Sequence, residues 1–98
     1  MSWSEAKRLV LECLKDGRIQ HEQRGDIDIK NHLATGQISV SQVEELLRRA
    51  RGNDHRESKH HLDRSVVVHV VKRQNWYIKW YFLEPDSVFI SVHPEELK

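Results

Sequence analysis

Five residues near the end of the chain have side chains suited to phosphodiester chemistry: Tyr77, Lys79, Tyr81, Ser91 and His93. Cutting RNA without a metal uses the ribose 2′-hydroxyl as nucleophile. The reaction needs a group to orient or deprotonate that hydroxyl, an acid for the departing 5′ oxygen, and cations against the phosphate in the transition state. Histidine, tyrosine, lysine and arginine can fill those roles, and aromatic rings can stack on unpaired bases. His69, Arg73 and Lys59, upstream, are further candidates. The plainer reading of such a face is the polar, tyrosine-bearing solvent side of an antiparallel sheet.

Strand alternation decides whether these side chains meet. Residues 76–83 place Trp76, Ile78, Trp80 and Phe82 at one parity and Tyr77, Lys79 and Tyr81 at the other. In residues 88–93, Val88, Ile90 and Val92 share a parity, and Ser91 and His93 share the opposite one. Side chains of a strand point alternately to its two faces, so each strand has an apolar side and a polar-aromatic side. Joining the apolar sides into one buried face predicts Trp80 opposite Val92, Phe82 opposite Ile90 and Lys79 opposite His93. That register asks for an odd-length connection, Pro85-Asp86-Ser87, because a slip of one residue exchanges the faces.

Upstream of this hairpin, residues 65–73 are rich in valine at both parities and read as a central strand covered on both faces. His69 could face either side of it. Ser2 with Glu5 and Ser39 with Gln42 have capping-box spacing. They open apolar stripes that predict helices over residues 3–16, ended by Gly17, and over residues 40–51, ended by Gly52. Cys13 falls on the first stripe and reads as a small buried hydrophobe. Residues 18–23 read as an edge strand or a loop, residues 26–34 as a short helix, and the polar stretch 53–63 as a loop. Helices followed by strands predict an α+β fold. The N-terminal helices would pack on one face of a C-terminal antiparallel sheet of three or more strands, in one domain spanning residues 1–98.

Other constellations are weaker. His55, His60, His61 and Asp63 match no standard metal-ligand spacing, so the site is read as needing no metal and no cofactor. Arg48, Arg49 and Arg51 sit where cations suit a helix C-terminus. Trp76 and Trp80 share their parity with Ile78 and Phe82, which points to core rather than to base stacking.

Composition sets the outer bounds. The 98 residues carry 16 Lys and Arg against 15 Asp and Glu, which gives no global electrostatic case for nucleic acid. A single cysteine leaves no intramolecular disulfide framework. No apolar run reaches the roughly 20 residues of a membrane span, and the N-terminus lacks the pattern of a signal peptide. A cytoplasmic protein without a membrane partner is expected.

Tyr77-Ile78-Lys79, the alternating strand after it, and Ile90-Ser91-Val92-His93 resemble the C-terminal half of MqsR-type toxins. These belong to the RelE-like group of bacterial toxin–antitoxin mRNA interferases. The resemblance covers about the last forty residues and, in outline, the order of elements before them. It implies a RelE-like fold, a metal-independent endoribonuclease acting on mRNA, at the ribosome or free of it, and a cognate antitoxin protein as partner. Position by position, the family's catalytic tyrosine falls on Tyr77 and its loop lysine on Lys59. Its lysine near the end of the last strand falls on His93, a departure that histidine chemistry can accommodate. Its glutamine on the first sheet strand falls nearest His69. The roles implied are Tyr77 or His69 at the 2′-hydroxyl, His93 at the leaving oxygen, and Lys59, Lys79 and Arg73 around phosphate, with Tyr81 beside the substrate. The rival class is a non-catalytic interaction module, an adaptor, antitoxin or immunity-type partner, docking through the same tyrosine-bearing face.

Overall fold

The computed structural model describes residues 1–23 and 25–96. Helix α1 spans Trp3–Asp16, with a complete Ser2/Glu5 capping box and a left-handed Gly17 at its end. Strand β1 is short, Ile19–His21, and a single helical turn, α2, covers Ile27–Lys30. Helix α3 spans Val40–Arg49 behind the Ser39/Gln42 box. It stops two residues earlier than the stripe predicts because Ala50 is extended. The Ala50 carbonyl accepts from Trp3 Nε1 at 3.2 Å and Lys7 Nζ at 3.1 Å, so α1 takes the acceptor that another helical turn would use.

A 3₁₀ turn at Gly52–Asp54 leads into four strands: β2 His55–Lys59, β3 Val67–Arg73, β4 Trp76–Leu83 and β5 Asp86–Pro94. The sheet order is β1-β5-β4-β3-β2. β2 to β5 form an antiparallel meander, and β1 pairs parallel with β5. The fold is therefore α+β, with a five-stranded mixed sheet where an antiparallel one is expected. β2 lies where the sequence reads as a loop. His55-Arg56-Glu57-Ser58-Lys59 has no apolar anchor, yet it pairs with β3 over its whole length as an edge strand.

Both longer helices pack against one face of the sheet, called here the inner face. Val10, Leu14, Val43 and Leu47 meet Val71, Ile78, Trp80, Phe89 and Val92 there, and Trp80 and Phe89 are fully buried. Val68 and Val71, at opposite parities of β3, are both fully buried, so that strand is covered on two sides at its middle. No helix among the described residues is long and apolar enough to cross a membrane.

The β4–β5 register departs from expectation in an instructive way. The connection is two residues, Glu84 and Pro85, rather than three. Beside it the pairs are Phe82 with Ser87, Tyr81 with Val88 and Trp80 with Phe89. Continued unchanged, that register would put His93 opposite Trp76, on the inner side. A bulge intervenes: Lys79 pairs with Ser91 and Tyr77 with His93, leaving Ile90 as the extra residue. The bulge shifts the register by one and returns Ser91 and His93 to the outer face. The face is shared as predicted, but Lys79 opposes Ser91 rather than His93, and neither expected apolar pair forms.

Candidate functional site

The outer face of β4 and β5 holds an open cleft of about 750 Å³. Its lining includes Tyr77, Lys79, Ser91 and His93 from the two strands, Lys72 from β3 and Lys30 from α2. Glu95 and Glu96 also line it. Lys30 arrives because the chain after α2 runs along β5: Asn31 bridges Val92, and His32 N–H donates to the Val92 carbonyl at 2.7 Å. Ser91 and His93 are only 5% exposed, so they form the floor rather than the rim.

The Tyr77 and His93 rings stack with centroids 5.1 Å apart and planes 19° from parallel. Lys72 Nζ lies 5.9 Å from the Tyr77 ring centre, at the outer limit of a cation–π contact. His93 Nδ1 lies 2.7 Å from the Pro94 carbonyl oxygen. A carbonyl can only accept, so Nδ1 carries the hydrogen. In the neutral ring Nε2 is then the basic nitrogen, and in the charged ring it is the second acid. Among the described residues the lining brings three lysines, Lys30, Lys72 and Lys79, together with two glutamates, Glu95 and Glu96.

The other expected site residues are elsewhere. Tyr81 shares the outer face but lies toward its far end, where its ring meets His60 edge-on at 5.5 Å. There His60 Nε2 donates to Glu22 Oε1 at 2.7 Å, its Nδ1 accepts from the Leu62 N–H, and His61 stacks on it. Burial and the Glu22 charge raise the Tyr81 pKa, which keeps the phenol neutral. Lys59 pairs with Val67, five residues along β3 from the Lys72 that pairs with Tyr77, or about 16 Å at strand rise. By alternation it also belongs to the inner side, so the loop-lysine role does not fall on it. Arg73 is on the inner side too, its guanidinium 3.4 Å from Asp54 Oδ2. His69 pairs with Trp80 and is 2% exposed, so it faces the core and not the cleft.

His69 belongs to a second, inner group at the β2–β3 edge. Its Nδ1 lies 2.9 Å from His55 Nε2 and 3.8 Å from Glu57 Oε2. Trp3 stacks on His55 at 4.9 Å, and Trp80 on His69 at 5.5 Å. Burial, with His55 adding to it, lowers the His69 pKa to about 4, and burial lowers that of His55 as well. Among the described residues this trio is the grouping of ligand-bearing side chains close enough to hold a metal ion. Of the metal candidates in the sequence only His55 joins it; His60 and His61 pair with each other.

Lys30 and Lys72 are cleft residues that the sequence reading misses. Lys72 was available in principle, since it has the parity opposite to His69 on β3. Nothing in the sequence brings α2 onto β5. Comparison of the chain with protein-family models, with curated proteins and with solved structures returns no match.

Proposed function

We propose that the outer cleft is the active site of a metal-independent endoribonuclease of the toxin–antitoxin kind, the MqsR-like, RelE-related class that the C-terminal segment resembles. The observation that carries this reading is the Tyr77–His93 stack on the floor of a lysine-flanked cleft. The two longer helices pack on the face opposite the cleft, which is in keeping with it.

In this reading a single-stranded stretch of mRNA lies across β4 and β5. Lys30, Lys72 and Lys79 hold the non-bridging phosphate oxygens, where charge grows in the transition state. Tyr77 hydrogen-bonds and orients the 2′-hydroxyl. A cleft carboxylate, Glu95 or Glu96, takes its proton as the 2′ oxygen attacks phosphorus. The bond from phosphorus to the 5′ oxygen breaks, and His93 Nε2 gives that oxygen its proton. The Pro94 carbonyl holds Nδ1–H throughout and so keeps Nε2 available for transfer. The products are a 2′,3′-cyclic phosphate and a 5′-hydroxyl.

The test is cleavage of a single-stranded RNA by purified protein in a chelator, beside an all-deoxy strand of the same sequence. The RNA should be cut to cyclic-phosphate ends and the deoxy strand left whole. His93→Ala should lower the rate by about 10²- to 10⁴-fold, the usual worth of a positioned acid or base. Production of the protein alone in a bacterial host should arrest growth, with loss of mRNA. Intact RNA and harmless accumulation would instead favour the interaction module, with the cleft as a docking surface. His93→Ala cutting at the parental rate would remove that residue from the chemistry.

A further inference from the structure

We propose that His55, Glu57 and His69 form a binding site for one divalent transition-metal ion, with zinc as the best match to the ligand set. The three donor atoms, one from each side chain, all lie within 4.8 Å of one another. Their closest separations, 2.9 Å between the imidazole nitrogens and 3.8 Å from His69 to Glu57, bracket what a metal requires. A tetrahedral zinc with bonds of about 2.0–2.2 Å holds its donors about 3.3 Å apart. Small rotations of three side chains therefore convert the group into a coordination shell.

Strand geometry produces this convergence. Glu57 and His69 are directly opposed across β2 and β3, and His55 lies two residues along β2 on the same side. The rings are held in place from the flanks, His55 by Trp3 and His69 by Trp80. His69 is buried, His55 half-buried and the Glu57 side chain 40% exposed, so the site is closed at the back and open to solvent at the edge. Two imidazoles and one carboxylate, with a fourth position left to water, is a composition that zinc accepts. One of the two rings must move its proton to its other nitrogen when the metal enters, since their facing nitrogens now share a hydrogen bond. A bound ion would tie the polar edge strand to β3 and, through Trp3, to the start of α1. The site lies on the face opposite the cleft, so it stands or falls independently of the nuclease reading.

The experiment is calorimetric titration of the untagged full chain with Zn²⁺, followed by Co²⁺ in its place with visible absorption recorded. One saturable equivalent per chain is expected, and Co²⁺ should show the intense bands of a four-coordinate ion. Glu57→Gln and His55→Asn should each weaken Zn²⁺ binding at least tenfold and diminish the Co²⁺ bands. His61→Asn, at the other histidine pair, should change neither. Glu57 is at the surface, so Glu57→Gln is expected to keep the parental circular dichroism spectrum. Absence of saturable binding overturns the proposal. So does undiminished affinity in both Glu57→Gln and His55→Asn, or a loss of binding in His61→Asn equal to theirs.

Discussion

On the outer face of the sheet His93 lies 5.1 Å from Tyr77; on the inner face His69 lies 5.5 Å from Trp80. Both are histidines of the same sheet, both are almost wholly buried, and both stack on an aromatic ring. Their surroundings set them apart. His93 forms the floor of a cleft with lysines and carboxylates, and a backbone carbonyl fixes which nitrogen is basic. His69 sits on the inner side between Trp80 and a second imidazole, that of His55, and burial holds it neutral. Residue type therefore says little about role here. Which side of the strand the residue takes, and what covers that side, says most of it.

The contrast can be broken most directly at the end of β5. Inserting one alanine between Val92 and His93 should leave Val92 opposite Ile78, put the alanine opposite Tyr77 and carry His93 opposite Trp76, on the inner side. RNA cleavage should then fall as far as in His93→Ala, about 10²- to 10⁴-fold. A protein with this insertion that keeps its circular dichroism and cuts at the parental rate would show that the side His93 takes does not assemble the site. On the inner side, Trp80→Ala should cost about 3–5 kcal/mol in urea unfolding, since a fully buried indole leaves a large cavity. A loss under 1 kcal/mol would mean that the inner stack is not part of the core.

Acid sharpens the comparison further. The His69 pKa is about 4 in the folded chain, below the ordinary 6.5 of the unfolded one. The unfolded state therefore gains its proton first. Stability from this group is complete above pH 6.5 and is lost as pH falls toward 4, by up to about 3 kcal/mol. Urea midpoints in a chelator across that range check it, and His69→Gln should flatten the slope. The smallest expected effect is at the cleft rim. Lys72→Met should raise the KM for RNA by about three- to tenfold and leave the free energy of unfolding within about 0.5 kcal/mol. Equal KM values would take Lys72 out of phosphate binding.

How much of this was legible depended on where the deciding interaction lay. α1 was readable to the residue because both of its ends are written locally, in Ser2, Glu5 and Gly17. The start of α3 was readable for the same reason. Its end was not, because Trp3 and Lys7, more than forty positions away, take the Ala50 carbonyl. β2 was invisible because an edge strand needs partners for its backbone and asks nothing apolar of its side chains. The shared face of Tyr77, Lys79 and His93 followed from alternation, but by the wrong route: a shorter turn and a compensating bulge. His69 was undecidable on a strand with valines at both parities. Lys30 enters the cleft only through the tertiary path of the chain after α2.

The rim of the sheet at β2 has one more consequence. If two copies approached edge to edge in antiparallel fashion about Glu57, that carboxylate would face its own twin, and His55 would face Lys59. A parallel approach would oppose every charge to itself. Backbone groups left open at such a rim ordinarily invite other chains to add on, and like charges discourage it. The opposite rim, β1, offers only three residues to pair with. Fibril-like growth of the sheet is therefore opposed at both rims.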